Sequence, residues 1–161
     1  QVFKNYLKDP GIQIVLAEID AYETAEAQNK LPQWQPVGYT LIKAGSPGYL
    51  PPEENLAKAT GENCAYLSKC YVEPQWYGSG LSGAMLEVSH FTLQNRYPHI
   101  VKIGLGTNLG NRRARKFYRR HGYRKCGQRI FMVADIENQD LVAVRDFTTS
   151  QIPSWAKNVA Q

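Results

Sequence analysis

The residues of this 161-residue chain best placed to do chemistry lie in two stretches. The first runs Gln75-Trp76-Tyr77-Gly78-Ser79-Gly80-Leu81-Ser82-Gly83. It follows a run from Cys64 to Val72 that reads as a strand, and it leads into apolar residues at 81, 84, 85 and 88, the spacing of a helix face. Glycines at a strand-to-helix junction adopt backbone angles closed to other residues and leave no side chain in a ligand's way. The helix start adds unpaired N–H groups and the positive end of its dipole. Such a junction suits an anion, most naturally phosphate. A glycine-rich turn with no ligand would use the same residues, so the reading depends on what else the chain carries.

The second stretch runs from Asn111 to Tyr123, NRRARKFYRRHGY. Ala114, Phe117, Tyr118 and His121 fall at i, i+3, i+4 and i+7, one face of a helix, while six basic residues cover the rest and Gly122 supplies a stop. Tyr118 puts a hydroxyl on the apolar face, and by position alone reads as a core aromatic.

Two known patterns fit the glycine stretch. Residues 78–83 satisfy G-x-G-x-x-G, the dinucleotide fingerprint, which requires an acid about 20 residues later to hold the ribose. Between Glu87 and Asp135 the chain has neither Asp nor Glu, so NAD is excluded. The other pattern, Q/R-x-x-G-x-G/A, is met by Gln75, Gly78 and Gly80, and from Asn111 the chain reads N-x-x-A-x-x-F-Y-x-x-x-G-Y. Together, in this order, the two stretches resemble the signatures of the GNAT superfamily of acyl-CoA-dependent N-acetyltransferases.

The resemblance covers roughly residues 1–150 and implies a fold, a reaction and a site. The fold is α/β (α+β): a mixed, mostly antiparallel central sheet flanked by helices, splayed between the strands 64–72 and 100–105. It forms one domain over 1–150, with a tail over 151–161. The reaction is transfer of an acetyl group from acetyl-CoA to a primary amine by direct attack. In the site, backbone from Gln75, Trp76, Tyr77, Gly78, Ser79, Gly80 and Leu81 cradles the pyrophosphate, and Cys70, Tyr71 and Val72 pair with the pantetheine arm. The carbonyl-polarising amide is assigned to Cys70 or Tyr71, Asn111 touches the cofactor at the head of the next helix, and Tyr118 stands beside the sulfur.

A free tyrosine titrates near ~10 and a thiol near ~8.5, so complete proton transfer from Tyr118 to the thiolate is uphill by about 2 kcal/mol. A hydrogen bond to the departing sulfur is its safer role. The general base stays open. Members of the family often carry a glutamate within the strand before the loop, where this chain reads Ala65-Tyr66-Leu67-Ser68-Lys69; Glu62, Glu73 and a water relay remain as alternatives.

The elements that must position these residues follow from pattern. Residues 1–9 read as the end of a helix stopped by Pro10-Gly11, and Gln13 to Asp20 and Val37 to Lys43 read as strands. Ala21 to Pro36 connects them. Gly45 to Asn63 is a long Pro- and Gly-rich loop, with a short helix expected over Glu53 to Thr60. A helix is expected from Leu81 to about Tyr97, with Glu87, His90 and Gln94 on its polar face and His90 read as solvated. Tyr97-Pro98-His99 reads as a turn and Ile100 to Leu105 as a strand, in which Gly104 and Gly106 leave room for a neighbour. Gln128 to Ala134 and Leu141 to Phe147 read as closing strands joined by a polar turn, Ile136 to Asp140. GNAT members usually begin with a strand and a helix pair, of which only the last turns are expected here. With no initiator Met, the chain reads as a fragment or a processed product.

Net charge is +5, a basic excess that suits an anionic cofactor or nucleic acid. Cys64, Cys70 and Cys126 show neither metal-ligand spacing nor a disulfide framework, so a reducing cytoplasm and no metal are expected. No apolar run reaches membrane-span length. The expected partner is a small-molecule or peptide amine, and a homodimer is compatible with the fold. Two rival functions are a non-catalytic acyl-CoA sensor and a nucleic-acid-binding module using the basic run 112–125. The second is the weaker, because the aromatics of that run share the apolar face.

Overall fold

The computed structural model describes residues 8–20, 33–45 and 63–148. Six strands form one sheet: β1 (Ile12–Asp20), β2 (Trp34–Ala44), β3 (Cys64–Val72), β4 (Lys102–Asn108), β5 (Arg124–Val133) and β6 (Ile136–Asp146), in the order β1-β2-β3-β4-β6-β5. Helix α1 (Leu81–Arg96) connects β3 to β4, and α2 (Arg112–Arg120) connects β4 to β5. All neighbouring strands are antiparallel except β3 and β4. That parallel pair holds only from Cys64↔Lys102 to Tyr66↔Gly104, whereas β3 stays paired with β2 as far as Gly38↔Val72. The sheet therefore opens between β3 and β4 beyond Tyr66, as expected.

Both helices lie on one face of the sheet, where Glu87 of α1 meets His121 at the end of α2 and residues of both helices join one core. Helix α1 packs on β1, β2 and β3 through Met85, Leu86, Ser89, His90 and Leu93. Its polar contacts to the sheet are specific: Ser89 Oγ lies 2.6 Å from Thr40 Oγ1, and Gln13 Nε2 donates to the Ser89 carbonyl at 2.8 Å. The core beneath the helices joins Ile42, Leu67, Leu86, Leu93, Ile103, Leu105 and Phe147. Gly38 is required where β2 meets β3, because a Cβ there would lie 2.8 Å from the Tyr71 carbonyl oxygen.

Several expected boundaries move. The closing hairpin turns at Ala134-Asp135, with Ala134 at φ 50°, and the expected turn Ile136 to Asp140 is strand β6. Polarity misleads here because Asp140 sits opposite Arg129 and pairs with it across the hairpin. Accordingly β5 starts at Arg124, β6 at Ile136, and the expected strand 100–105 runs from Lys102 to Asn108. The expected helix over 53–60, most of the loops over 21–36 and 45–63, residues 1–7 and the tail lie outside the described residues.

Candidate active site

The loop after β3 begins with a single 3-10 turn, Pro74–Trp76, and reaches α1 through Gly78 at φ 85° and Gly80 at φ 88°. Only glycine takes this left-handed region without penalty, and Gly80 in it is the N-cap of α1. No side chain caps that helix end. Ser79 Oγ donates to the Trp76 carbonyl at 2.8 Å and accepts from the Leu81 amide at 3.2 Å, which fixes the loop from within. Among the described residues the amides of Gly78, Gly80 and Ser82 meet no acceptor, so three donors collect at the positive end of the helix dipole. A Cβ built on Gly78 or Gly80 has nothing within 4 Å, and the Trp76 indole Nε1–H is buried without a partner. Free amides, an orphaned N–H and open space fit the phosphates of a coenzyme.

Asn111 caps α2, its Oδ1 accepting from the Ala114 amide at 3.0 Å. Arg113 closes the space between the helix starts, with its guanidinium 3.8 Å from the centroid of the Tyr77 ring. One and a half turns along α2, Tyr118 turns under the helix, its ring meeting Phe117 and Tyr123 at centroid distances of 5.2 and 5.5 Å. Its hydroxyl comes near enough to the thiol of Cys70 on β3, at the edge of the gap, for each group to shift the other's titration. Burial, and then the neighbouring Cys70, push the Tyr118 phenol well above its ordinary range, so it stays protonated and acts as a donor. Burial likewise raises the Cys70 thiol to about 11, offset in part by the Tyr118 hydrogen bond. Tyr71, next in the strand, is exposed and stacks on Tyr39 at 5.6 Å, while Val72 is buried. Gln75 reaches Glu73 at 3.0 Å. Arg113 against Tyr77 thus sets the start of α2 beside the glycine loop, and Tyr118 beside Cys70 sets its middle against β3, which opens from β4 there.

Two groups of residues near this opening were not read from the sequence. On the helical face, His90 is buried, not solvated as expected: α1 lies flat on the sheet, and α2 and β6 cover its other flank. Arg145 Nη1 donates to His90 Nδ1 at 2.7 Å, which leaves the proton on Nε2 to be given to the Tyr123 hydroxyl at 2.9 Å. Burial, countered in part by Glu87, lowers the His90 pKa, consistent with a neutral ring. Glu87 accepts from Arg145 at 2.9 Å and from His121 Nδ1 at 3.0 Å. Burial alone would raise its pKa, but the hydrogen bonds from His121 and Arg145, with the Arg145 charge, outweigh that and hold it well below the usual carboxylate range.

On the opposite face, Arg129 grips Asp140 with Nη2 and Nε at 2.6 and 3.0 Å. The pair lies flush on β4, since a Cβ on Gly106 would stand 2.9 Å from each partner. The room expected beside Gly106 is filled by this ion pair. Burial lowers the Arg129 pKa but the Asp140 hydrogen bond, with help from Tyr66, raises it further. Among the described residues there is no cluster of side chains able to hold a metal ion.

Comparison with known proteins agrees with this geometry. The profile of the acetyltransferase (GNAT) family matches residues 5–123. An uncharacterized N-acetyltransferase of Mycobacterium tuberculosis is 26% identical over 144 residues, which span 89% of this chain and 73% of that protein. NAA60 of Arabidopsis thaliana, solved with a bisubstrate analogue, shares the fold at a TM-score of 0.69 and 15% identity, covering 92% of this chain and 83% of that one. A ribosomal-protein-alanine N-acetyltransferase from Brucella melitensis does so at 0.63 and 18%, covering 91% and 75%. With the family profile spanning most of its length, the chain belongs to the acetyltransferase (GNAT) family, and with it to the acetyl-CoA-dependent acetyltransferases.

Proposed function

We propose that this protein moves the acetyl group of acetyl-CoA to a primary amine by direct attack of that amine on the thioester. What supports the reading is an amide-lined loop at the start of α1, an opening between β3 and β4, and a buried, protonated phenol beside β3. The amides of Gly78, Gly80 and Ser82 hold the pyrophosphate, with Gln75, Trp76, Tyr77, Ser79 and Leu81 shaping the cradle. The unpaired edge of β3 beyond Tyr66 takes the pantetheine arm as an added strand, and the amide of Cys70 or Tyr71 polarises the thioester carbonyl. Asn111, fixed as the cap of α2, lines the arm. Tyr118 offers its hydroxyl to the sulfur of the coenzyme as that atom gains charge.

The amine approaches from the face that carries Tyr66, Arg129 and Asp140, because α1 and α2 cover the other. Its proton leaves through water: Glu73 accepts from Gln75 and Asp140 is held by Arg129, while Glu62 lies outside the described residues. The deciding experiment follows free thiol release from acetyl-CoA over a panel of polyamines, amino acids, aminoglycoside-type amines and peptide N-termini. Transfer to at least one amine is expected. Tight acetyl-CoA binding with no transfer to any of them would make the protein a sensor.

A further inference from the structure

A cavity of about 520 Å³ lies on the outer side of α2, between that helix and strands β4, β5 and β6. Its rim carries Arg112, Arg115, Lys116 and Arg119 from α2 and Arg124 and Lys125 from β5, all exposed. Its floor is mostly apolar, made by the partly exposed Leu141 over the buried Leu105, Tyr123 and Ala143, with Thr107 at its side. No acidic residue lines it, and none of the six cations forms an ion pair with a carboxylate among the described residues. Two guanidinium groups are tied back to main chain: Arg115 donates to the Leu109 carbonyl at 2.8 Å and Arg124 to the Arg119 carbonyl at 3.4 Å. Six like charges around one hollow repel each other, and their summed field concentrates anions there. The cavity takes none of its lining from the glycine loop or from Cys70 and Asn111, and it shares only Tyr118 with the opening described above.

We propose that this cavity is a second ligand site, for a small amphiphilic anion whose apolar body lies on the floor and whose carboxylate or phosphate meets the rim. Cavities of roughly 300–1,000 Å³ are the size that encloses small ligands. A nucleic-acid backbone would meet the same rim but leave the apolar floor uncovered, which favours the small molecule. Because Tyr118 forms one wall, a ligand here bears directly on the residue beside the coenzyme sulfur. The proposal does not depend on which amine is acetylated, or on whether one is.

The test is calorimetric titration of the protein with naphthyl phosphate, naphthoate, the neutral naphthylmethanol and inorganic phosphate, with and without saturating CoA. Either or both naphthyl anions are expected to bind whether or not CoA is present, the stronger of them naming the head group. The neutral analogue and inorganic phosphate should each bind about tenfold more weakly, since each lacks one half of the recognition. The double variant R119Q/K125Q, whose side chains are exposed and lie outside the coenzyme site, should lose about tenfold in affinity for the anions, two partly screened contacts, and keep its affinity for CoA. Strict competition with CoA would make the cavity part of the coenzyme site and overturn the proposal. So would equal binding of the neutral analogue, or an unaffected double variant. If the double variant instead loses affinity for a random single-stranded oligonucleotide while the naphthyl anions bind neither protein, the rim is a nucleic-acid surface.

Discussion

Replacing Tyr118 by Phe removes one oxygen and tests the chemistry without dismantling the fold. The ring contacts to Phe117 and Tyr123 survive, and the lost hydrogen bond ends on a thiol, a weak acceptor, so stability should change by no more than about 1 kcal/mol. In the reaction, the hydroxyl meets a sulfur that becomes anionic, and a hydrogen bond to a charged group contributes roughly 1.5–3 kcal/mol. The rate should therefore fall by about 10- to 100-fold. Since the interaction strengthens as charge develops, the loss should appear in kcat with KM and CoA affinity little changed. The raised phenol pKa sharpens the expectation: complete proton transfer to a thiolate is uphill by more than about 2 kcal/mol, so Tyr118 stabilises by donation and does not ionise. Consequently kcat of the parent should show no basic limb near pH ~10 assignable to a tyrosine. Thiol release at saturating acetyl-CoA and a good amine measures the rate, with calorimetry for CoA and a thermal melt as controls. A folded variant with near-parental kcat would reduce Tyr118 to a packing residue, and a tyrosine limb present in the parent but lost in the variant would show that it does titrate.

Four further perturbations probe separate parts of the site. Gly78→Asp and Gly80→Asp should weaken CoA binding by roughly 2 kcal/mol through a like charge about 5 Å from the pyrophosphate, whereas Gly78→Asn, with the same backbone demand and no charge, should weaken it less; equal losses in calorimetry would assign the effect to backbone strain. NAD should show no useful affinity, since no acid lies between Glu87 and Asp135, and NAD binding tighter than CoA binding would reverse the coenzyme assignment. Asn111→Ala should cost about 1 kcal/mol through the lost cap, while Asn111→Asp keeps the cap and stability but weakens CoA; a melt and a CoA titration on both variants separate the two roles. Glu87→Gln leaves Arg145 partly buried without its countercharge and should lower stability by roughly 2–3 kcal/mol, a fall of about 5–10 °C in Tm. The pKa values of Glu87 and His90 are both depressed by folding, so their contribution is complete above their unfolded values, near ~4.3 and ~6.5, and is lost as pH falls below each. A parent whose Tm holds steady from pH ~7 down to ~5 would contradict the His90 shift, and one that holds from there to ~3 the Glu87 shift.

What could be read from the sequence was whatever acts through backbone or local spacing. Gly78 and Gly80 announce a left-handed turn before a helix, because no other residue takes φ near 85° cheaply and the neighbouring periodicities change from strand to helix. Tyr118 shares a helical face with Ala114 and Phe117, so its burial follows from the spacing, whereas the cap that Asn111 makes came from the structure. The hairpin was misplaced for a related reason. Cross-strand partners are set by register, and nothing local says that Asp140 faces Arg129 and not water, so a polar strand imitates a turn.

His90 failed to show itself because its burial depends on residues distant in the chain. Arg145 lies 55 positions away and Tyr123 33, and neither spacing carries a periodic signal. Yet these contacts bear on the site as directly as the motifs do. Glu87 joins α1 to the end of α2 through His121 and to β6 through Arg145, while His90 holds the Tyr123 hydroxyl. Tyr123 in turn packs edge-on against Tyr118. The phenol proposed to meet the coenzyme sulfur is thus located from two sides: by its place on α2, which the sequence motif describes, and by a wall anchored in a buried polar network, which it does not. An active site held to within a fraction of an ångström needs both, since the residue that touches the reacting atom is only as well placed as the side chains that confine it.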